Sequence, residues 1–141
     1  MSRLSAEGAR EQPSRVLLAL LLLYTAASLL HFVHNAEYLS DYPNLPAAFS
    51  RLLVYGVWCL IAAIGVCGYL LYRRGHARIG LAVLALYAAL GLDGLLHYGR
   101  APMSAHSAGM NLTIWTEVIA AAALLVAIAT IALRGRAGNP A

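Results

Sequence analysis

The sequence predicts an all-α integral membrane protein, a four-helix up-down bundle with both termini in the cytoplasm. Three observations predict it. Of the 141 residues, 61% are hydrophobic and 11% charged, where a soluble domain runs nearer ~45–50% and ~25%. The apolar residues fall into four runs, each close to the ~20 residues that cross a bilayer as a helix. The ten basic residues, all arginine, stand in short clusters between those runs. This composition excludes an ordinary cytosolic protein and a disordered chain. The +4 formal charge forms no basic patch on a soluble face, so no nucleic-acid partner is expected.

In chain order, residues 1–15 are polar and small and read as a disordered cytoplasmic tail. The spans follow at 16–38, 52–72, 79–98 and 112–133, together a bundle over 16–134, and 135–141 is a second cytoplasmic tail. Each span is rich in Leu, Ala and Val, and as a helix it satisfies its own backbone hydrogen bonds in lipid. A signal peptide cleaved near Thr25-Ala26-Ala27 fits less well, because the apolar run continues to Val33 and cleavage would leave an odd number of spans. The connections are short, which makes successive helices antiparallel neighbours. Gly56, Gly65 and Gly68, then Gly80, Ala85 and Ala89, then Ala120 to Ala123 let helices approach closely, within the bundle or in a homo-oligomer. Cys59 and Cys67 lie eight residues apart on one span, roughly 12 Å, too far for a disulfide. They are expected to be buried packing residues.

Orientation follows from the arginines. Arg3, Arg10, Arg15, Arg73, Arg74, Arg78, Arg134 and Arg136 fall on one side, and Arg51 and Arg100 on the other. The richer side is cytoplasmic by the positive-inside rule. The absence of lysine beside abundant Arg and Ala suggests a GC-rich bacterial genome, hence a bacterial inner membrane.

The ionisable residues then share a level. His31 lies 16 residues beyond Arg15, Asp93 lies 15 beyond Arg78, and Glu117 lies 17 before Arg134. At 1.5 Å per residue, all three are roughly 22–25 Å above the cytoplasmic edge. His34, Glu37 and His97 are near the same layer. On a 100° helical wheel His31, Asn35 and Tyr38 share a stripe, Asp93 and His97 share another, and Met110, Thr113 and Glu117 a third. Arg51, Tyr55 and Trp58 form a stripe at matching height. A charge at this depth costs about 2.5–3.5 kcal/mol on insertion scales, so the groups are expected to face one another inside the bundle.

Imidazole and carboxylate stripes on separate helices are how bundle-core metal sites are built. The leading expectation is a zinc or copper ion held by His31, His34 and His97, with Asp93 and Glu37 as further ligands. Tyr38, Tyr55, Trp58, Asn35, Thr113 and His106 would shape the mouth. Few small residues stand at that depth, which argues against a b-type haem. The alternative is an enzyme of lipid modification in which His34 and Glu117 move a proton on a substrate from the bilayer. A third possibility is a cofactor-free subunit of a larger membrane complex, in which the polar groups only fix helix register.

Two resemblances bear on these alternatives. His34-Asn35-Ala36-Glu37-Tyr38, at the end of the first of four spans, resembles the bacterial HXXEE membrane protein family, with Tyr38 where that family has a second Glu. It implies the four-span layout and no particular activity. Asn111-Leu112-Thr113-Ile114-Trp115-Thr116-Glu117-Val118-Ile119 is similar to a helix of the emopamil-binding, sterol-isomerase-like family. That resemblance implies an acid–base role for Glu117. The chain departs from the family in its shortness and in carrying this helix last.

Overall fold

A computed structural model describes residues 2–137, with side chains described for residues 15–135. Four helices form the fold: α1 (Ser2–Glu37), α2 (Arg51–Arg73), α3 (Ala77–Leu90) and α4 (Ala108–Ala137). No strand occurs among the described residues. The stretches Arg15–Glu37, Arg51–Arg73, Ala77–Gly99 and Ala108–Gly135 are each long and apolar enough to cross a membrane. They pack in a ring: α1 against α2 and α4, and α3 against α2 and α4. The helical backbone of α1 begins at Ser2, within the stretch expected to be a disordered tail, whose side chains before Arg15 lie outside the described residues. The tail expected at 135–141 lies outside them from residue 138 onward.

The inward faces follow a common spacing of alternating three and four residues. On α1 it is Leu17, Leu21, Tyr24, Ser28 and His31; on α4 it is Met110, Ile114, Glu117, Ala121, Leu124 and Ile128. On α3 it is Leu81, Leu84 and Ala88, continued by Gly91, and on α2 it is Val54, Trp58, Ile61, Gly65 and Gly68. This 3.5-residue repeat is the seam of left-handed helix packing. It is apolar towards the Arg15 end and polar towards the other. At Gly65 a Cβ would stand 2.8 Å from the Tyr87 ring, so the missing side chain sets the α2–α3 approach. The seam leaves Cys59 and Cys67 on the outer face of α2, where both are exposed. They are therefore not the buried packing residues expected, because α2 is the helix with the smallest buried share.

The third span departs from the continuous helix expected at 79–98. Its α-helix ends at Leu90, and Asp93–Gly99 is a 3₁₀ segment. The cause is a residue 63 positions away. The Tyr24 hydroxyl donates to the Tyr87 carbonyl at 3.1 Å, the acceptor that the Gly91 N–H would take in an α-helix. The Gly91 N–H instead reaches Ala88 O, and Leu92 N–H reaches Ala89 O, both at 3.1 Å. The Tyr24 ring fills the space where a Cβ of residue 91 would stand. With three residues per turn, Asp93 and His97 are about 120° apart rather than on one face.

The two connections at the polar end are tied together. Asn44 has φ 57°, a left-handed conformation that Asn tolerates. Its side-chain amide donates to Arg100 O at 2.9 Å. In the other connection the Tyr98 hydroxyl donates to Asn111 Oδ1 at 2.8 Å, and Asn111 Nδ2 donates to Met103 O and His106 O, each at 3.2 Å. Ser50 caps α2 by accepting from Leu53 N–H.

Candidate functional site

The centre of the polar end is a pair of buried side chains from adjacent helices. His31 on α1 is 1% exposed and Glu117 on α4 is 0% exposed. His31 Nε2 and Glu117 Oε2 are 3.6 Å apart, longer than a hydrogen bond. Neither carboxyl oxygen of Glu117 has a hydrogen-bond partner. The Ser28 hydroxyl lies beside the carboxyl but outside hydrogen-bond geometry.

The tautomer of neutral His31 follows from its neighbours. The Thr113 hydroxyl donates to Met110 O at 3.1 Å, so its oxygen accepts from His31 Nδ1–H at 3.3 Å. Nε2 then carries the lone pair, and Asn35 Nδ2–H donates to it at 3.1 Å. Asn35 Oδ1 is buried without a partner. Turning the amide over would bring that oxygen to Nε2, where it would accept from an imidazolium N–H. The site thus holds a matching partner for either protonation state of His31.

His31 also lines a cavity of about 280 Å³ between α1, the first connection, the start of α2 and the 93–99 segment. Its polar lining is His31, Asn35, Tyr42, Asp93, His97 and Arg100. The rest is apolar: Phe32, Leu39, Leu45, Phe49, Leu53, Val54, Val57 and Leu96, with Gly94. Gly94 keeps the wall thin. A Cβ there would stand 3.7 Å from both His31 Nε2 and Glu117 Oε2, so a larger side chain would crowd the pair. Leu53 and Val57 of α2, Leu96 of the 3₁₀ segment and Phe49 of the first connection are exposed on the outer surface. The cavity therefore has an apolar edge on the outer face of the bundle.

Tyr42 closes the upper side. It is 4% exposed and packs between the rings of His34 and His97, at centroid distances of 6.0 and 4.9 Å. Burial pushes its phenol well above the ordinary tyrosine range, so it stays protonated and is available to donate to His34 Nδ1 at 3.0 Å.

The five residues expected to share a metal do not gather on one point. Among the described residues no group of three or more His, Cys, Asp or Glu side chains is placed to hold a metal ion. His31, Asp93 and His97 line the cavity. His34 turns instead to Tyr42 and stacks on exposed Tyr38, its centroid 4.7 Å away. Glu37 lies outside, paired with Arg51 at 3.1 Å and accepting from the Tyr55 hydroxyl at 2.9 Å. Both residues lie off the inward stripe of α1, which runs on from His31 to Asn35, so helical phase turns them away from the centre. Glu117 accordingly meets His31 and not His34.

The mouth differs as well. Tyr42, Leu45 and Phe49 of the first connection shape it, whereas Tyr55 and Trp58 pack against the core from α2. Asn35 and Thr113 are at the pair itself. His106 is 6% exposed, and its Nδ1–H donates to Pro102 O at 3.0 Å, leaving Nε2 buried without a partner. Tyr42, Gly94 and Ser28 are site residues that sequence reasoning passed over. Only Ser28, three residues before His31, could have been found there, by extending the His31–Asn35 stripe down the helix. No protein-family model, curated protein or solved structure matches the chain.

Proposed function

We propose that the chain is a small bacterial inner-membrane protein, both termini cytoplasmic, whose extracytoplasmic pocket receives an apolar molecule from the bilayer. His31, backed by Glu117, moves a proton on that molecule in an isomerase-type acid–base reaction. The observation that carries this is the buried pair. Glu117 is held without a hydrogen bond, 3.6 Å from the Nε2 of His31, and His31 lines a largely apolar cavity.

In the reaction, His31 Nε2 takes a proton from a carbon that lies between a carbonyl group and a double bond, where the carbonyl can hold the electron pair as a dienolate. The C–H electron pair moves into the carbon skeleton, the double bond shifts, and the imidazolium, whose N–H exchanges with solvent between the two transfers, delivers a proton to the far carbon. One C–H bond breaks and one forms, with no change in oxidation state. Between the two transfers the imidazolium faces the Glu117 carboxylate, and the Asn35 amide turns its oxygen to Nε2. Apolar walls keep water from quenching the intermediate.

The test is deuterium exchange. The full chain, purified in mild detergent, is mixed with vesicles of bacterial inner-membrane lipid extract in D₂O, and the lipids are analysed by mass spectrometry. Carbon-bound deuterium is expected in one lipid class, lost with His31→Gln and slowed about 100-fold or more with Glu117→Gln. Deuterium no higher than in protein-free vesicles overturns the reading.

A second reading, zinc or copper binding, rests on the file of imidazoles formed by His31, His97 and His106. Successive ring centroids are 5.6 and 6.2 Å apart. Metal analysis of the same preparation after zinc or copper loading separates the two. Stoichiometric metal lost with His97→Ala would favour it.

A further inference from the structure

The lip of the cavity carries a charge that the proton transfer does not use. Arg100 is exposed where the third span ends and lines the cavity beside His97. No carboxylate lies within salt-bridge distance of its guanidinium among the described residues. The other arginine at this end, Arg51, is paired with Glu37. The backbone of Arg100 is fixed independently of its side chain, by Asn44 donating to the Arg100 carbonyl.

Acidic side chains lie deeper. Asp93 lines the inner part of the same cavity, and Glu117 stands behind the Gly94 wall. An elongated molecule with an anionic end therefore finds an arginine only at the lip and acidic side chains at the floor. Its apolar part is accommodated by Phe32, Leu53, Val57 and Leu96. The volume of about 280 Å³ is at the lower end of ligand pockets, which span ~300–1,000 Å³, so it takes one chain rather than a whole two-chain lipid.

We infer that the pocket binds a single-chain amphiphile with an anionic head, the head held at the lip by Arg100 and the chain lying towards His31. This rests on the pocket described under the proposed function and adds the class of its occupant. Arginine suits the role because its guanidinium can engage phosphate or carboxylate with two parallel hydrogen bonds.

The test compares three probes on the full chain in a neutral detergent by titration calorimetry: dodecyl phosphate, dodecanol and inorganic phosphate. Dodecyl phosphate is expected to bind about tenfold or more tightly than dodecanol. Arg100→Gln should erase that advantage and leave dodecanol unchanged, Arg100→Lys should keep part of it, and inorganic phosphate alone should show no binding. If dodecyl phosphate and dodecanol bind equally, or the advantage survives Arg100→Gln, the anionic head is wrong while the apolar pocket stands. If inorganic phosphate binds as tightly as dodecyl phosphate, the lip is a simple anion site and the amphiphile is wrong. If no probe binds, both the amphiphile and the apolar pocket fail.

Discussion

Glu117 is positioned by packing and not by hydrogen bonds. A buried carboxyl usually answers its desolvation with two or more partners, yet here both oxygens have none and the nearest charged-group nitrogen is 3.6 Å away. Such a group is costly, and its removal is expected to cost the fold nothing. Glu117→Gln keeps the shape of the side chain and removes the ionisable group. Its thermal unfolding temperature in detergent, read by the fluorescence of Trp58 and Trp115, should equal or exceed that of the wild type. A fall equivalent to more than about 2 kcal/mol would make the carboxylate a structural element, since a structural hydrogen bond to a charged group is worth ~1.5–3 kcal/mol. Asn111 is the opposite case. Its side chain makes three hydrogen bonds that hold the last connection. Asn111→Ala should destabilise the protein by about 1–3 kcal/mol, measured by the same unfolding curve. The inward placement of Glu117 and His31 at one level was legible from depth and helical phase alone, because a regular helix converts position in the sequence into position in space. The partner of Glu117 was not legible. Choosing His31 over His34 depends on which residue stays on the inward seam, and that is decided by the neighbouring helices.

At the scale of elements, the 3.5-residue seam explains where side chains are missing as well as where they are large. Gly65 and Gly56 lie on the same helix and separate the two effects. A Cβ at residue 65 would enter the Tyr87 ring, whereas nothing lies within 4 Å of one at residue 56. Gly65→Ala should lower stability by about 1–3 kcal/mol through overpacking. Gly56→Ala should be neutral or raise it by about 0.5–1 kcal/mol, by removing backbone freedom from the unfolded chain. Equal unfolding temperatures for the two variants would mean that α2 and α3 are not in this close contact. The four spans were legible to within a few residues, because bilayer thickness fixes their length. The break at Gly91 was not. Glycine alone permits a break without requiring one, and the requirement comes from the Tyr24 hydroxyl on the Tyr87 carbonyl, a contact that local pattern does not contain. The same holds for Tyr42. It belongs to a connection, and only the packing of that connection over His34 and His97 makes it part of the site.

Over the whole molecule, polarity is confined to one half. Thr25, Tyr24, Tyr87, Ser28, Glu117 and His31 form a polar column that starts near the middle of the bundle and reaches the cavity at one end. The Thr25 hydroxyl and the Tyr87 hydroxyl are 2.9 Å apart and close the column. Below them Leu17, Leu21, Leu84, Leu124 and Ile128 fill the seam with buried apolar side chains. This arrangement suits a pocket reached from one side and does not suit a path for ions or protons across the bilayer, which would need polar groups or water throughout. The side on which the His31 cavity opens follows from the distribution of the arginines. Arg15, Arg73, Arg74, Arg78 and Arg134 lie at the end away from the His31 cavity, and Arg51 and Arg100 at the end that holds it. Arginines flanking short connections are retained in the cytoplasm. Reporter fusions inserted at Asn44 and at His106 should thus be active outside the cytoplasm, with a phosphatase reporter. A fusion at His76, in the turn between α2 and α3, should be active only inside, with a cytoplasmic fluorescent reporter. The reverse pattern would put Arg100 and the cavity against the cytoplasmic leaflet, and the amphiphile would have to come from there. Activity on both sides at a single position would mean a dual-oriented chain. Reversing the arginine balance, by moving Arg73, Arg74 and Arg78 to glutamine and adding arginines beside Asn44, should then invert the reporters while leaving the bundle folded.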